Sequence, residues 1–597
     1  MEKEEFIMKK IINYKTGIVV MLLTILAACN SWLDKPPLTQ YLDSPSFWKD
    51  ETAVRLFSNG FYSCFKGAGT GIVSSIFDNE ISGSDADIFF ATFSDDQAYV
   101  SENGFDMFPQ SAGAIKSSTT WTTPYTYIRL ANLLLERINT VPSSGISDAA
   151  RLHYTGMGYF FLAMQYFDLV RRYGDVPFVD KYLDQSADTA IIWGPRVDRD
   201  MIMDSVLSYI NNATVMLYPK SVGDADPNLG PNTMNQDIAY ALKSRICLYE
   251  GSWAKYHENN TDRATQYFNE CKNACETLMN GGTYKLAADF VSSYNTMGLS
   301  TAKGGEILLY RKYLSGVLKN MLYQYANSTT GTPGLTKDAV ESFLCTDGLP
   351  IGLSPLYKGD ECNTTTLSIA TTTLANRDKR LTETVSPILS FGGGFTTDAA
   401  KHISMTGYMI TRFNPSVAPT STPYPDSPIF WYSEILLNEA EALTELNSFT
   451  QASADATINL LRQRAGVALL DVNNVPDDPK RDSDVLPLLW EVRRERRSEL
   501  MLTSFRYWDL RRWAKVNYLD PNENPDIFKG AKLPAGYTFP SNVQGGQDDL
   551  RYINIYNAAT AAMRVIKIPQ DYLDPIPTDQ IGLYTNNGIN FPQNPGW

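Results

Sequence analysis

His153, His257 and His402 are the chain's three histidines, and no two of them lie at a spacing used for metal ligation or proton relay. No HExxH, GxSxG or P-loop pattern occurs, so the usual marks of zinc hydrolysis, serine hydrolysis and nucleotide chemistry are missing. Glycoside cleavage asks for less, only two carboxylates about 5 to 9.5 Å apart. The 66 Asp and Glu residues leave room for such a pair, but no motif marks one, and the chain reads as a non-enzyme. Asp520-Pro521-Asn522-Glu523-Asn524-Pro525-Asp526 sets oxygen atoms at alternate positions, a weak calcium pattern. Pro525 stands where a calcium loop turns on Gly, and no Glu follows at the twelfth position, so the segment reads as a solvated Asx turn. No other metal and no organic cofactor is indicated. Six cysteines, Cys64, Cys247, Cys271, Cys275, Cys345 and Cys362, have neither disulfide nor zinc spacing. Cys271 and Cys275 share a helix face and read as small buried apolar residues.

What remains is chemistry of binding. Aromatic residues make up 12% of the chain, with 34 Tyr, which joins an apolar face to a polar tip. A sugar ring packs its apolar face on such a side chain, and its hydroxyls need Asn, Asp or Gln nearby. Two loops carry this mixture: Asp85 to Phe108, and Tyr313 to Asn327. The candidate ligand-binding residues are Phe93, Tyr99, Tyr323 and Tyr325. In an extended backbone, Tyr323 and Tyr325 point their rings to one side. A net charge of -14 argues against a nucleic-acid partner, which would need a basic face to displace counterions.

The N-terminus speaks for compartment. Lys9, Lys10 and Lys15 precede the apolar run Ile18 to Ala28. Its eleven residues fall short of the about 20 that span a bilayer, and the pattern is a secretory signal. Leu26-Ala27-Ala28-Cys29 resembles a bacterial lipobox, which makes Cys29 the expected lipid attachment site. The mature chain is then anchored to a membrane by lipid.

These loops need a scaffold, and the spacing predicts helices. The hub is Ala150 to Asp180, where Phe160, Ala163, Met164, Phe167 and Val170 form one stripe and Gly174 with Pro177 ends the helix. Helices are also predicted over Phe47–Phe65, Tyr125–Asn139, Arg199–Met216, Met234–Tyr256, Asp262–Asn280, Ile429–Leu446, Ala452–Ala465 and Leu486–Thr503. Pairs of roughly 35 to 45 residues match the spacing of tetratricopeptide-like solenoids. Between Tyr284 and Ser427 the chain turns to Thr, Ser, Gly and Pro, with Ile307–Tyr310 as a brief strand. That stretch reads as loops laid over the helices. In EVRRERRSEL, Glu491/Arg494 and Arg496/Glu499 are i, i+3 pairs of opposite sign, so an internal salt-bridge network is expected rather than a phosphate site. The Pro-rich tail from Val565 to Trp597 is expected to wrap the surface.

Taken together, several stretches carry a resemblance: YTYIRLANLLLERI from Tyr125, YFFLAMQYFDLVRRYGDVPFV from Tyr159, AYALKSRICLYEGSW from Ala239, FLCTDGLPI from Phe343, ANRDKRL from Ala375, ILLNEAEAL from Ile435, RRERRSELMLTSFRYWDLRRW from Arg493, IPQDYLDPIPTDQI from Ile568 and the final QNPGW. With the lipobox, this ordered set resembles the SusD/RagB family of Bacteroidetes surface lipoproteins. The resemblance implies a mainly α fold, a tetratricopeptide-like helical scaffold with a loop-rich C-terminal portion and a few short strands. It implies a signal peptide over 1–28, a helical part over 29–283, a loop-rich part over 284–428 and a C-terminal SusD/RagB part over 429–597. It further implies display on the outer membrane and pairing with a SusC-like, TonB-dependent barrel. The ligand implied is a glycan, or a peptide in RagB-like members. Arg496, Glu499, Arg506, Asp509 and Arg511 match the family's charged C-terminal helix and are expected to hold elements together. Cys29 matches the acylated cysteine.

Overall fold

The chain is described here by a computed structural model over residues 46–65, 94–98, 116–183, 189–314, 331–332, 334–390, 403–414, 425–503, 505–537, 545–562 and 564–597. Helix starts follow side-chain caps. Asp50 caps α1 (Glu51–Asn59), Ser118 caps α2 (Thr119–Arg137), and Ser147 caps α3 (Asp148–Tyr173) by accepting from the Ala150 N–H. Asp198, Asn235 and Asn260 do the same for α4 (Arg199–Met216), α5 (Gln236–Tyr256) and α6 (Thr261–Asn280). Gly174 ends α3 at φ 68°, a backbone angle that side chains disfavour.

The helices pack in a series, α2 on α3, α3 on α4, α4 on α5 and α5 on α6. α6 then packs on α7 (Tyr432–Glu445), and α7 on α9 (Pro487–Glu499), with α8 (Ile458–Ala465) beside both. The hub prediction holds in position but not in kind. α3 has no single apolar stripe, because Phe160 to Phe167 are buried without a break between α2 and α4. Two glycines let the neighbours close in. A Cβ at Gly158 would stand 2.8 Å from Leu135 Cδ2, and one at Gly156 2.9 Å from the Leu217 amide nitrogen.

The predicted helix from Ile429 begins later. Ser427–Trp431 is instead a fully buried strand, β4, antiparallel to β2 (Ile307–Arg311), and the helix starts at Tyr432. A continuous apolar run supports either choice, and the partner strand decides it. The predicted helix Ala452–Ala465 is interrupted at Thr457, whose φ and ψ of -130° and -93° leave the helical region. Other short strands include β1 (Gln97–Ala98), β3 (Gly334–Leu335), β5 (Lys529–Lys532) and β6 (Tyr552–Asn554), each in a two-stranded ladder.

Residues from Trp48 to Phe591 share the main core. A second core joins the loop-rich stretch to later segments, including Phe290, Leu335, Phe343, Ile369, Leu381 and Ile410 with Trp431 and Met501. The tail does more than wrap the surface. Ile576 and Phe591 enter the main core, and Asn594 donates to the Tyr173 and Asp574 carbonyls at 3.0 and 2.7 Å. Among the described residues no helix is long and apolar enough to cross a membrane.

Candidate functional site

The first of the loops that carry the candidate ligand residues is rooted on a buried charged segment, α9 and α10 (Phe505–Arg512). From Glu491 to Arg512 the chain has seven Arg and four acidic residues, so α9 and α10 cannot neutralise themselves. The expected Glu491/Arg494 pair forms at 3.0 Å. Arg496 and Glu499 do not pair with each other. Arg496 turns to Asp509 and the Asn438 side chain, both at 2.8 Å, while Glu499 accepts from Arg380 at 2.9 Å and from Arg464. Both faces of the helix are buried, so facing elements offer better partners than the next turn. Arg512 holds Glu441 through two contacts of 2.6 and 2.7 Å, and Arg511 holds Asp574 at 2.8 Å. Burial alone would raise the Glu441 carboxyl, but Arg512, Arg496 and Arg493 outweigh it and bring the group down to about 2. Arg506, Asp509 and Arg511 thus tie elements together, as the resemblance implies.

One of these ties reaches the first candidate ligand loop. Asp95 takes a two-point grip from Arg506, with Oδ1 2.8 Å from Nε and Oδ2 2.6 Å from Nη2, and lies 3.2 Å from Arg497. Arg497 also holds Asp96 and Asp338, each at 2.7 Å. Burial opposes ionisation of Asp95, yet Arg497 and Arg506 bring its carboxyl to about 2.

Asp95 and Asp96 lead into β1, whose Gln97 and Ala98 pair with Leu335 and Gly334 of β3. Thr336 closes the same corner, donating through its amide to the Asp96 carbonyl at 3.0 Å and through Oγ1 to the Asp95 carbonyl at 2.6 Å. Gly331 and Thr332 pair in parallel with Ile403 and Ser404, and Gly334 bridges to Met409. Asp426, buried, accepts N–H bonds from Gly298, Leu299 and, at the start of the second candidate loop, Tyr313, at 2.8 to 2.9 Å. Phe93, Tyr99, Tyr323 and Tyr325 themselves lie outside the described residues, as does Cys29. The structure joins the segments beside them. Ser94 to Ala98, between Phe93 and Tyr99, is hydrogen-bonded to Gly334 to Thr336, the strand that resumes after the Tyr323 loop.

The residues with other chemical potential are committed to packing. His153 accepts the Tyr218 N–H at 3.1 Å and stacks on that ring, and burial lowers its pKa to about 4. His257 bonds the Arg511 carbonyl at 2.7 Å and stacks on Trp253, again lowered by burial to about 4. His402 lies outside the described residues. Cys271 and Cys275 are buried free thiols. Asp520 forms an Asx turn with the Asn522 N–H at 2.8 Å, and Asp526 pairs with Lys337 at 2.8 Å. The weak calcium pattern is therefore a turn and an ion pair in this fold. No group of three or more His, Cys, Asp or Glu suited to a metal occurs among the described residues.

Residues 294–597 match the family model described as SusD family. The chain belongs to that family. A second family model, described as starch-binding and associating with the outer membrane, matches residues 86–248. The SusD-like protein P38 of Formosa agariphila is 23% identical over 531 residues, which cover 85% of this chain and 93% of that one. A SusD-like carbohydrate-binding protein from Bacteroides fragilis has the same fold, with a TM-score of 0.70 at 21% identity, covering 90% of this chain and 99% of that one. A laminarin-binding SusD-like protein gives a TM-score of 0.54 at 16% identity, covering 92% and 100% of the two chains. For this SusD chain, sequence reading missed Asp95, Asp96 and Asp426 as the residues that root the loops. The signal for the first two was present in the three-guanidinium excess of α9 and α10, which calls for carboxylates from elsewhere.

Proposed function

We propose that this SusD-family chain is a non-catalytic surface lipoprotein that binds an oligosaccharide and passes it to a SusC-like, TonB-dependent outer-membrane barrel. Its lipid is attached at Cys29, and its ligand rests on Phe93, Tyr99, Tyr323 and Tyr325. The observation that carries this reading is the family match, and the shared root of the two aromatic loops supports it. A glycan needs several rings and hydroxyl partners on one surface, and loops held by the β1/β3 corner and by Asp426 can supply them.

The test is a panel of oligosaccharides and peptides incubated with the processed chain, read by calorimetry and by analysis of the recovered solute. Saturable uptake of an oligosaccharide, returned at its original length, supports the proposal. Binding confined to peptides moves the chain to a RagB-like role. Shortened sugars whose appearance depends on an intact carboxylate identify a glycoside hydrolase and overturn it.

A further inference from the structure

A small pit opens between α9, the turn after α10 and the segment near Ser342. It is lined by Ser342, Trp490, Trp513, Tyr518 and four guanidiniums, those of Arg493, Arg494, Arg497 and Arg506. No acidic residue lines it. The carboxylates that balance these cations contact them outside the lining: Glu491 and Asp478 for Arg494, Asp96 and Asp338 for Arg497, Asp95 for Arg506. The mouth residues Trp490 and Tyr518 are held in place by Asp478 at 3.2 Å and Asp482 at 2.8 Å.

Arg493 differs from the other three. It is 5% exposed and reaches one carboxylate, Glu445, at 3.3 Å. Glu445 already receives Lys255 and the Tyr256 hydroxyl, both at 2.7 Å. The Arg493 Nε is buried and meets no acceptor among the described residues. Its plane is set by Trp513, whose ring centre is 4.3 Å away. A guanidinium has five N–H donors, so most of this one's capacity is unspent.

The cavity measures about 50 Å³. That is about three to four water-sized positions, the bulk of a carboxylate or a tetrahedral oxyanion. We propose that this pit binds a small oxyanion, with Arg493 as its main charge partner and Trp490, Trp513 and Tyr518 as its walls. The anion is a carboxylate or an inorganic oxyanion, both flat or compact acceptors that suit a guanidinium fork. The site stands on α9 and its neighbours and does not depend on the glycan reading.

The experiment is scanning calorimetry of the full chain at constant ionic strength, titrating sodium acetate or sodium sulfate against a bulky sulfonate buffer salt. A saturable rise in Tm with either anion is expected. Acetate alone marks a carboxylate site, sulfate alone an inorganic one, and both mark a shared site. In Arg493→Gln the apparent dissociation constant should rise about tenfold or more, while the exposed-site variant Lys181→Gln leaves it unchanged. Should Arg493→Gln fail to fold, Trp490→Ala at the mouth must weaken the same response. No saturable shift with either anion, or a shift undiminished in these pit variants, would mean the pit holds only water and overturns the proposal.

Discussion

At the scale of single residues, Asp95 carries the most consequence. It is buried, and its carboxylate faces Arg497 and Arg506 together. Asp95→Asn leaves both guanidiniums short of a charge, and the expected loss of stability is about 3 kcal/mol at neutral pH, read by denaturant unfolding. The pH dependence follows from the depressed folded-state pKa of about 2 against the ordinary 3.8. The wild-type advantage is full above the ordinary value and shrinks as the pH falls through about 2. Glu439 gives the opposite sign. Burial, aided by Glu276, raises its pKa from 4.5 to about 8, and its Oε2 has no partner among the described residues. The folded state favours the protonated form, so its contribution is lost as the pH rises from about 4.5 to about 8. The Tm of Glu439→Gln relative to wild type should therefore climb between pH 5 and pH 8.5, and a flat difference would contradict the assignment.

At the scale of elements, the corner formed by β1, β3 and residues 403–409 ties a segment within the first candidate ligand loop to the segment that follows the second. Gly334 sits at its centre, and a Cβ there would collide with Ser404 Oγ and Thr406 Oγ1 and approach the Tyr408 carbonyl at 2.9 Å. Gly334→Ala should lower Tm by several degrees and weaken ligand binding more than an alanine placed on the exposed face of α4, as calorimetry on the two variants would show. This corner was not legible beforehand, because two-residue ladders leave no periodicity to read. α4 was legible to the residue, since Asp198 is a strong cap and an apolar pattern follows it. The Ile429–Trp431 part of β4 reads as helix in the sequence because it is apolar without alternation, and its partner strand lies far away in the chain. The Arg496/Glu499 pairing failed for a related reason: i, i+3 arithmetic holds on a solvated helix face and gives way when Asp509, Arg380 and Arg464 are packed closer. The four candidate ligand rings rest on residue type in loops, where no spacing rule restricts the backbone.

At the scale of the whole molecule, a series of helices supports loops, and one buried charged segment ties scaffold, loop root and tail. Asp574 shows the reach of that segment, since it joins Arg172 of α3 and Arg511 of α10, both at 2.8 Å, to the C-terminal tail. A lipid at Cys29 would place this body at a membrane surface, and Cys29→Ser should move the chain from the membrane pellet to the soluble fraction without changing its unfolding profile. Under the proposed function, the body captures a glycan on its aromatic loops and leaves it intact. The direct measurement is calorimetric titration of an oligosaccharide bound by the wild type into the double variant Tyr323→Ala/Tyr325→Ala, with the sugar recovered afterwards. The account predicts a loss of about 2 kcal/mol or more in binding free energy, an unchanged Tm and an oligosaccharide of unaltered length. Undiminished binding by the variant, or a shortened sugar from the wild type, would contradict it.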